Sequence, residues 1–212
     1  MTGAFITLEG GEGCGKTTQM PLLVGRLEAL GADVLVLREP GGTVVGDRLR
    51  EILLDATHLG RVEPRAELLM YEAARAQLVG ERIRPALAQG RTVVCDRFFD
   101  STTAYQGYGR GLDLESIRES NLAATGGLVP HATIVIDIDP RTGLERAGRE
   151  GADRLESEAL GFHDRVREGF LAIARSEPDR VRVVDGSGPV EEVAERVWSA
   201  VESRLRALGV LG

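Results

Sequence analysis

Residues 10–17 read Gly-Gly-Glu-Gly-Cys-Gly-Lys-Thr, and this stretch decides the fold. It matches the pattern G-x-x-x-x-G-K-[ST] and stands between a short apolar run, residues 5–8, and a helical pattern that begins at Lys16. Glycines in such a loop let successive backbone N–H groups point at one phosphate, while the N-terminus of the helix adds its positive dipole. The stretch therefore predicts a phosphate-binding loop (P-loop).

The side chains of this loop have predicted tasks at a bound nucleotide. Lys16 bridges the outer phosphates, and Thr17 offers its hydroxyl to Mg²⁺. Lys16 is also the only lysine among 26 basic residues, and a narrow loop can require its compact ammonium where arginine would not fit. The predicted ATP contacts are nine consecutive residues: Gly10, Gly11, Glu12, Gly13, Cys14, Gly15, Lys16, Thr17 and Thr18.

Composition and charge narrow the class of protein further. The chain has 212 residues, 42% hydrophobic and 28% charged, which excludes disorder for most of its length. A net charge of −7 provides no positive field for nucleic acid or an anionic membrane, so neither partner is expected. No apolar run approaches the roughly 20 residues of a membrane span. The first residues also lack a signal-peptide pattern, and we expect a cytoplasmic protein.

The two cysteines and three histidines do not suggest a metal or disulfide framework. Cys14 and Cys95 lie far apart in the chain, and the histidines are scattered. We therefore expect neither a zinc site nor a disulfide.

Short apolar runs alternate with longer helical patterns, which is typical of a parallel sheet wrapped by helices. The predicted strands are residues 5–8, 33–37, 92–95, 133–138 and 181–184. Four helices are predicted, over residues 16–30, 64–90, 113–127 and 189–208. The second should bend near Pro85, and the third should be capped by Asp113 and end at residues 126–127. Without repeats or a linker, residues 1–212 are expected to form one domain.

Residues 140–155 read PRTGLERAGREGADRL and combine arginine with glycine. This composition predicts a mobile flap over about residues 141–156, with a solvated helix and loop as the alternative.

An acidic and a basic residue follow the strand predicted at 92–95. Asp96 supplies a carboxylate for Mg²⁺, and Arg97 can grip a second phosphate with two hydrogen bonds. A surface ion pair between the two is the alternative. A guanine-specific GTPase switch is disfavoured, because it would need an Asn-Lys-x-Asp motif to bind the base. The only asparagine is Asn121, and the only lysine, Lys16, belongs to the P-loop.

Five segments in this order resemble the thymidylate kinase family, which passes the γ-phosphate of ATP to dTMP. They are EGGEGCGKTTQ (9–19), REPGGT (38–43), LLMYEAARAQLV (68–79), DRFFDSTTAYQGYGR (96–110) and ADRLE (152–156). The resemblance covers nearly the whole chain. It implies an α/β P-loop kinase with a five-stranded parallel sheet in the order 2-3-1-4-5, a short lid flap, ATP and dTMP as substrates, Mg²⁺ as cofactor and a homodimer.

The resemblance also implies how dTMP is bound. Arg97 would hold the acceptor phosphate, Glu12 the 3′-hydroxyl, and Tyr71 would take the place of a phenylalanine that stacks on thymine. Pro40, after a peptide bond that is permitted to be cis, would lie beneath the base. The remaining implied contacts to the base edge and the sugar are Arg75, Thr102, Tyr105 and Gln106.

The P-loop of this chain carries no arginine between Gly11 and Gly15, so the resemblance implies that the flap supplies the catalytic arginine. Arg149 and Arg154 are the candidates, with Arg146 in reserve, and Glu156 resembles a family acid near the metal or the flap. Catalysis would then rest on Lys16, Arg97 and these flap arginines.

Two other readings of the sequence stay open at this point. One is another P-loop nucleoside or nucleotide kinase, and the other is a P-loop ATPase that works as a switch. ADP release that depends on dTMP, on thymidine or on neither would separate the three.

Overall fold

Five parallel strands form one sheet in the computed structural model, which describes residues 3–148 and 154–210. The strands are β1 Phe5–Glu9, β2 Val34–Arg38, β3 Thr92–Asp96, β4 Ala132–Asp137 and β5 Val181–Asp185. Their order across the sheet is β2-β3-β1-β4-β5, which confirms the expected order. The P-loop follows the central strand β1, so it starts from the middle of the carboxyl edge of the sheet.

Helices flank this sheet and position the loops at its edge. They are α1 Lys16–Ala29, α2 Val44–Leu54, α3 Pro64–Leu78, α4 Arg84–Ala88, α5 Phe99–Thr102, α6 Leu114–Thr125, α7 Pro140–Ala147, α8 Leu160–Ser176 and α9 Val190–Ala207. Val79–Ile83 and Thr103–Gly109 are π-helical, and Ala56–His58 is a 3₁₀ turn.

Alternate residues of β1 enter different apolar clusters, as the two-residue period of a strand requires. Ile6 and Leu8 pack with apolar residues of α1 and α9. Phe5 packs with Leu78 and Ile83, which lie on and just after α3. Both sides of the strand are thus buried in apolar surroundings, which explains why the predicted strands read as continuous apolar runs.

The structure confirms most of the predicted elements. Every predicted strand lies within one residue of an observed one at each end, and α1 and α6 have the expected bounds. Asp113 caps α6, accepting a hydrogen bond from the Ser116 amide at 2.9 Å. The expected bend near Pro85 corresponds to the π-helical turn Val79–Ile83 between α3 and α4. Helices α2 and α8 were not predicted.

The flap begins with an ordered helix. Asp139 caps α7, because its carboxylate accepts hydrogen bonds from the amides of Arg141 and Thr142. The first part of the flap, Pro140–Ala147, is therefore a helix, as the alternative of a solvated helix and loop predicted. Residues 149–153 lie outside the described ranges.

None of the helices within those ranges is both long and apolar enough to cross a membrane.

Candidate active site

The P-loop wraps around the ammonium group of Lys16. Gly10, Gly13 and Gly15 have φ angles of 137°, 59° and 100°, values that favour glycine. The Lys16 Nζ donates to the carbonyl oxygens of Gly10 and Gly11 at 3.1 and 3.0 Å, and its side chain is almost fully buried. The loop thus holds one cation at the place where phosphate oxygens are expected.

A cleft of about 670 Å³ opens beside the P-loop at the carboxyl edge of the sheet. Seven of the nine predicted ATP contacts line it, from Glu12 to Thr18, whereas Gly10 and Gly11 line a small neighbouring cavity. All eight predicted dTMP contacts line it as well: Glu12, Pro40, Tyr71, Arg75, Arg97, Thr102, Tyr105 and Gln106. One cleft therefore contains the predicted sites of both nucleotides.

Arg97, Glu12 and Tyr105 form a hydrogen-bonded cluster in the wall of this cleft. Arg97 Nη2 donates to Glu12 Oε1 at 2.9 Å, and the Tyr105 hydroxyl donates to the same oxygen. Burial alone would raise the pKa of Glu12, but Arg97, Lys16 and Tyr105 lower the pKa below its usual value. Burial raises the pKa of Tyr105, so its hydroxyl keeps the proton that it donates. Glu12 is therefore an ionised acceptor.

Arg97 does not pair with its neighbour Asp96 but reaches across to the P-loop. Its Nη1 donates to the Gly10 carbonyl at 2.9 Å, and its guanidinium lies 5.0 Å from the centre of the Tyr105 ring. Its backbone has a φ of 68°, the only positive φ of a residue other than glycine in the described part of the chain. Such a conformation is strained and is found disproportionately at functional sites.

The other end of the cleft is formed by a buried polar network around Arg75. Its guanidinium donates to Glu39 Oε2 at 2.9 Å, to Glu72 at 2.8 Å, to Asn121 at 3.1 Å and to Thr102 at 2.9 Å. Burial raises the pKa of Glu39 to about 7 even though Arg75 favours its charged form. The peptide bond between Glu39 and Pro40 is cis, as the resemblance implied. Arg75 thus presents a rigidly held edge to the cleft.

Two of the predicted metal ligands suit a divalent cation. Asp96 Oδ1 is buried and has no hydrogen-bond partner in residues 3–148 and 154–210, and an oxygen of this kind is a hard ligand that Mg²⁺ accepts. The Thr17 side chain lines the same cleft. These two residues fit the predicted Mg²⁺ site.

Helix α7 of the flap packs directly on the P-loop through two glycines. A Cβ atom added to Gly143 would lie 2.3 Å from the carbonyl oxygen of Glu12, and one added to Gly13 would lie 2.0 Å from the carbonyl oxygen of Gly143. No side chain larger than hydrogen fits at either position. This contact brings Arg146, on the same helix, to the wall of the cleft.

We expect Gly143→Ala to reduce kcat roughly tenfold, because the added methyl group must push α7 away from the P-loop and small displacements of catalytic groups are costly. Steady-state ADP release measures the effect. Gly161→Ala in α8 is the matched control, since its Cβ would meet nothing closer than Arg165 at 3.9 Å. Equal kcat values for the two variants would contradict the expectation.

The flap arginines differ in where they lie. Arg154 is buried outside the cleft, with its Nη2 2.6 Å from Glu67 and its Nε donating to the Leu53 carbonyl at 2.6 Å. Arg149 lies outside the described residues. Glu156 lines the cleft. Of the flap residues proposed from the sequence, the described structure thus brings Arg146 and Glu156 to the site, and the catalytic roles of Arg149 and Arg154 stay predictions.

Sequence reasoning missed several residues of the cleft, among them Arg50 and Leu54 of α2. Gly186 and Gly188, between β5 and α9, line its P-loop side. The glycine-rich turn after an apolar strand was a usable signal, because all parallel strands end at the same edge. Ser101 was missed as well, although it lies one helical turn beyond Arg97 and accepts a hydrogen bond from Arg97 Nη1 at 3.1 Å.

Comparisons with known proteins identify the family of this chain. A family model described as "Thymidylate kinase" matches residues 8–197. A thymidylate kinase from Synechococcus sp. (strain JA-2-3B'a(2-13)) is 58% identical over 201 residues, with 95% of both chains covered. One from Deinococcus radiodurans is 53% identical over 203 residues, covering 95% of this chain and 98% of the relative. The crystal structure of thymidylate kinase from Ehrlichia chaffeensis superposes with a TM-score of 0.78 at 32% identity, covering 95% of this chain and all of that one.

Proposed function

Because this chain belongs to the thymidylate kinase family, it is an ATP:dTMP phosphotransferase. We propose that the cleft beside the P-loop holds both nucleotides with the residues predicted from the sequence. The observation that carries the proposal is a shared contact. Lys16 Nζ and Arg97 Nη1 both donate to the Gly10 carbonyl, at 3.1 and 2.9 Å. A group for the donor phosphates and a group for the acceptor phosphate are thus immediate neighbours.

Transfer in this arrangement depends on positioning and electrostatics. The P-loop amides and Lys16 hold the donor phosphates, while Arg97 aims the acceptor phosphate at the γ-phosphoryl group. Glu12 accepts the 3′-hydroxyl of the sugar, and Tyr71 stacks on thymine. The charge that spreads over the transferring group is met by an arginine of the flap, with Arg149 and Arg154 as candidates and Arg146 in reserve.

Thr17 and Asp96 would hold Mg²⁺ in this site. The cation would neutralise charge on the phosphates of ATP when it is bound. The unpartnered buried oxygen of Asp96 supports the assignment.

ADP release with dTMP, with thymidine and without an acceptor tests the assignment of substrates. We expect turnover with dTMP and none above background with thymidine or without an acceptor, because thymidine has no phosphate for Arg97 to hold. Turnover with thymidine would support a nucleoside kinase, and ADP release without any acceptor would support an ATPase.

Tyr105 is proposed to exclude a ribose. Its hydroxyl donates to Glu12 and its ring lies in the wall of the cleft, where a 2′-hydroxyl would press on it. We expect Tyr105→Ala to narrow the kcat/KM ratio of dTMP over its ribose analogue about tenfold, because the collision that rejects ribose is removed. Tyr105→Phe keeps the ring and should still discriminate. A wild-type ratio in Tyr105→Ala would remove Tyr105 from the sugar site.

We also propose that two copies of the chain associate. Helix α3 lies between α2 and α6, and each of the three leaves a large apolar side chain in solvent: Val45 is 50%, Leu69 63% and Leu122 42% exposed. Apolar surface of this kind on neighbouring helices suits an interface with a second copy. A cytoplasmic location stays a prediction.

Light scattering after size exclusion tests the dimer. We expect the wild type at twice the chain mass of 22.8 kDa and Leu69→Glu at 22.8 kDa, since a buried carboxylate would oppose association. Glu115→Gln, at an exposed position of α6, is the control. A wild type that elutes with the monomer mass would refute the proposal.

A further inference from the structure

One buried carboxylate beside the P-loop has no role in the function proposed above. Glu9 is the last residue of β1, and its side chain is completely buried. Its Oε1 accepts a hydrogen bond from the Phe98 amide at 2.7 Å, and its Oε2 accepts one from the Ser101 hydroxyl at 2.6 Å. Both oxygens are therefore directed at the segment that follows Arg97.

These two bonds hold Arg97 from both ends. Phe98 is the next residue in the chain, so its fixed amide restrains the backbone of Arg97, which has the positive φ of 68°. The Ser101 oxygen accepts from Arg97 Nη1 at 3.1 Å while its hydroxyl donates to Glu9. The bond to the Phe98 amide restrains the strained backbone at Arg97. The bond to Ser101 restrains the Arg97 guanidinium through the Ser101 hydroxyl oxygen.

A second buried acid in the same segment shows how specific this arrangement is. Asp100 binds Arg180 through two bonds of 2.8 and 2.7 Å and also accepts from Thr133. Its hydrogen-bond partners lie on β4 and just before β5 rather than on Arg97. Asp100 thus ties the segment to the sheet, whereas Glu9 faces the arginine.

A completely buried carboxylate is a poor way to stabilise a protein, because its desolvation cost is offset only by well-placed partners. The two partners of Glu9 both control Arg97. We propose that Glu9 is a positioning residue for the acceptor phosphate, which sets the direction of the Arg97 guanidinium through Phe98 and Ser101. The proposal rests on the proposed role of Arg97 at that phosphate.

Affinity for dTMP and for thymidine, measured by calorimetry, isolates this role. The two ligands share the base and the sugar and differ by the phosphate alone. In Glu9→Leu, which removes both acceptor oxygens at similar volume, we expect dTMP to bind roughly tenfold more weakly while thymidine binding stays within twofold. The KM for ATP should also stay within twofold, since the contacts of Lys16 do not involve Glu9.

Three further variants make the result decisive. Glu9→Gln keeps an acceptor for the Phe98 amide and should show a smaller loss of dTMP affinity, again without a loss of thymidine affinity. This variant replaces Glu9→Leu if that protein does not fold. Leu205→Ala is the buried control, because Leu205 lies in the apolar cluster of α9, and it should lower the melting temperature without changing the ratio of the two affinities. Arg97→Ala should abolish the preference for dTMP, and if it does not, the role of Arg97 is wrong whatever Glu9 does.

Given an effect of Arg97→Ala, two outcomes would overturn the role of Glu9. One is an equal loss of dTMP and thymidine affinity in the Glu9 variants, which is the behaviour of a general structural residue. The other is an unchanged ratio of the two affinities in whichever Glu9 variant folds.

Discussion

We expect Lys16→Arg to lower kcat roughly 10³-fold although the positive charge is kept, in line with the cost of removing a preorganised charge from a transferring phosphoryl group. The Lys16 ammonium fits between the carbonyls of Gly10 and Gly11 and lies 3.4 Å from the sulfur of Cys14. A planar guanidinium is wider than an ammonium group, and the contact between Gly13 and Gly143 opposes widening of the loop.

Steady-state kinetics of Lys16→Arg beside Lys16→Ala measure this effect. If shape decides, both variants should be impaired to a similar extent, and their melting temperatures should stay close to that of the wild type. The sole lysine of an arginine-rich chain motivates the comparison. An arginine variant within tenfold of wild-type kcat would show that charge alone is sufficient and that the lysine is coincidental.

The sheet and the P-loop could be predicted because their signals are local. Strands buried on both sides read as apolar runs, and the P-loop motif is a fixed spacing of glycines before a lysine. Helix α2 carried no such signal, because Val44 and Val45 are exposed and only Gly46 and Leu53 are buried. Its apolar residues therefore do not mark an inward face.

Helix α8 was predictable in principle. Its buried residues have the spacing of one helix face: Phe162, Val166, Phe170 and Ile173. The helix was missed because the sequence does not mark where the flap ends and the helix begins.

The arrangement of the site depends on contacts that no local pattern contains. Arg97 adopts a left-handed backbone because Leu8, Glu9 and Gly10 hold it from a strand far away in the sequence. The resemblance could name Arg97 as a phosphate ligand, but it could not reveal Glu9 behind it. Such long-range partners follow from the order of the strands, since β1 and β3 are neighbours only after the sheet has formed.

The separate roles of Arg149 and Arg154 can be tested together. We expect Arg149→Ala to lower kcat by roughly 10²-fold or more with little change in dTMP affinity, because an arginine that acts only on the transferring group affects the transition state. Its melting temperature should stay close to that of the wild type.

Arg154 is expected to contribute first to stability, because its guanidinium forms a buried ion pair with Glu67 and must leave it to reach a phosphate. Arg154→Ala should lower the free energy of unfolding by about 3 kcal/mol, the low end for breaking a buried pair, since Arg110 still neutralises Glu67. Denaturant unfolding and kcat, measured on both variants and on the double variant, distinguish the two roles. A large loss of kcat in Arg154→Ala with unchanged stability would make Arg154 the catalytic arginine, and normal kcat in all three proteins would mean that neither arginine meets the transferring phosphoryl group.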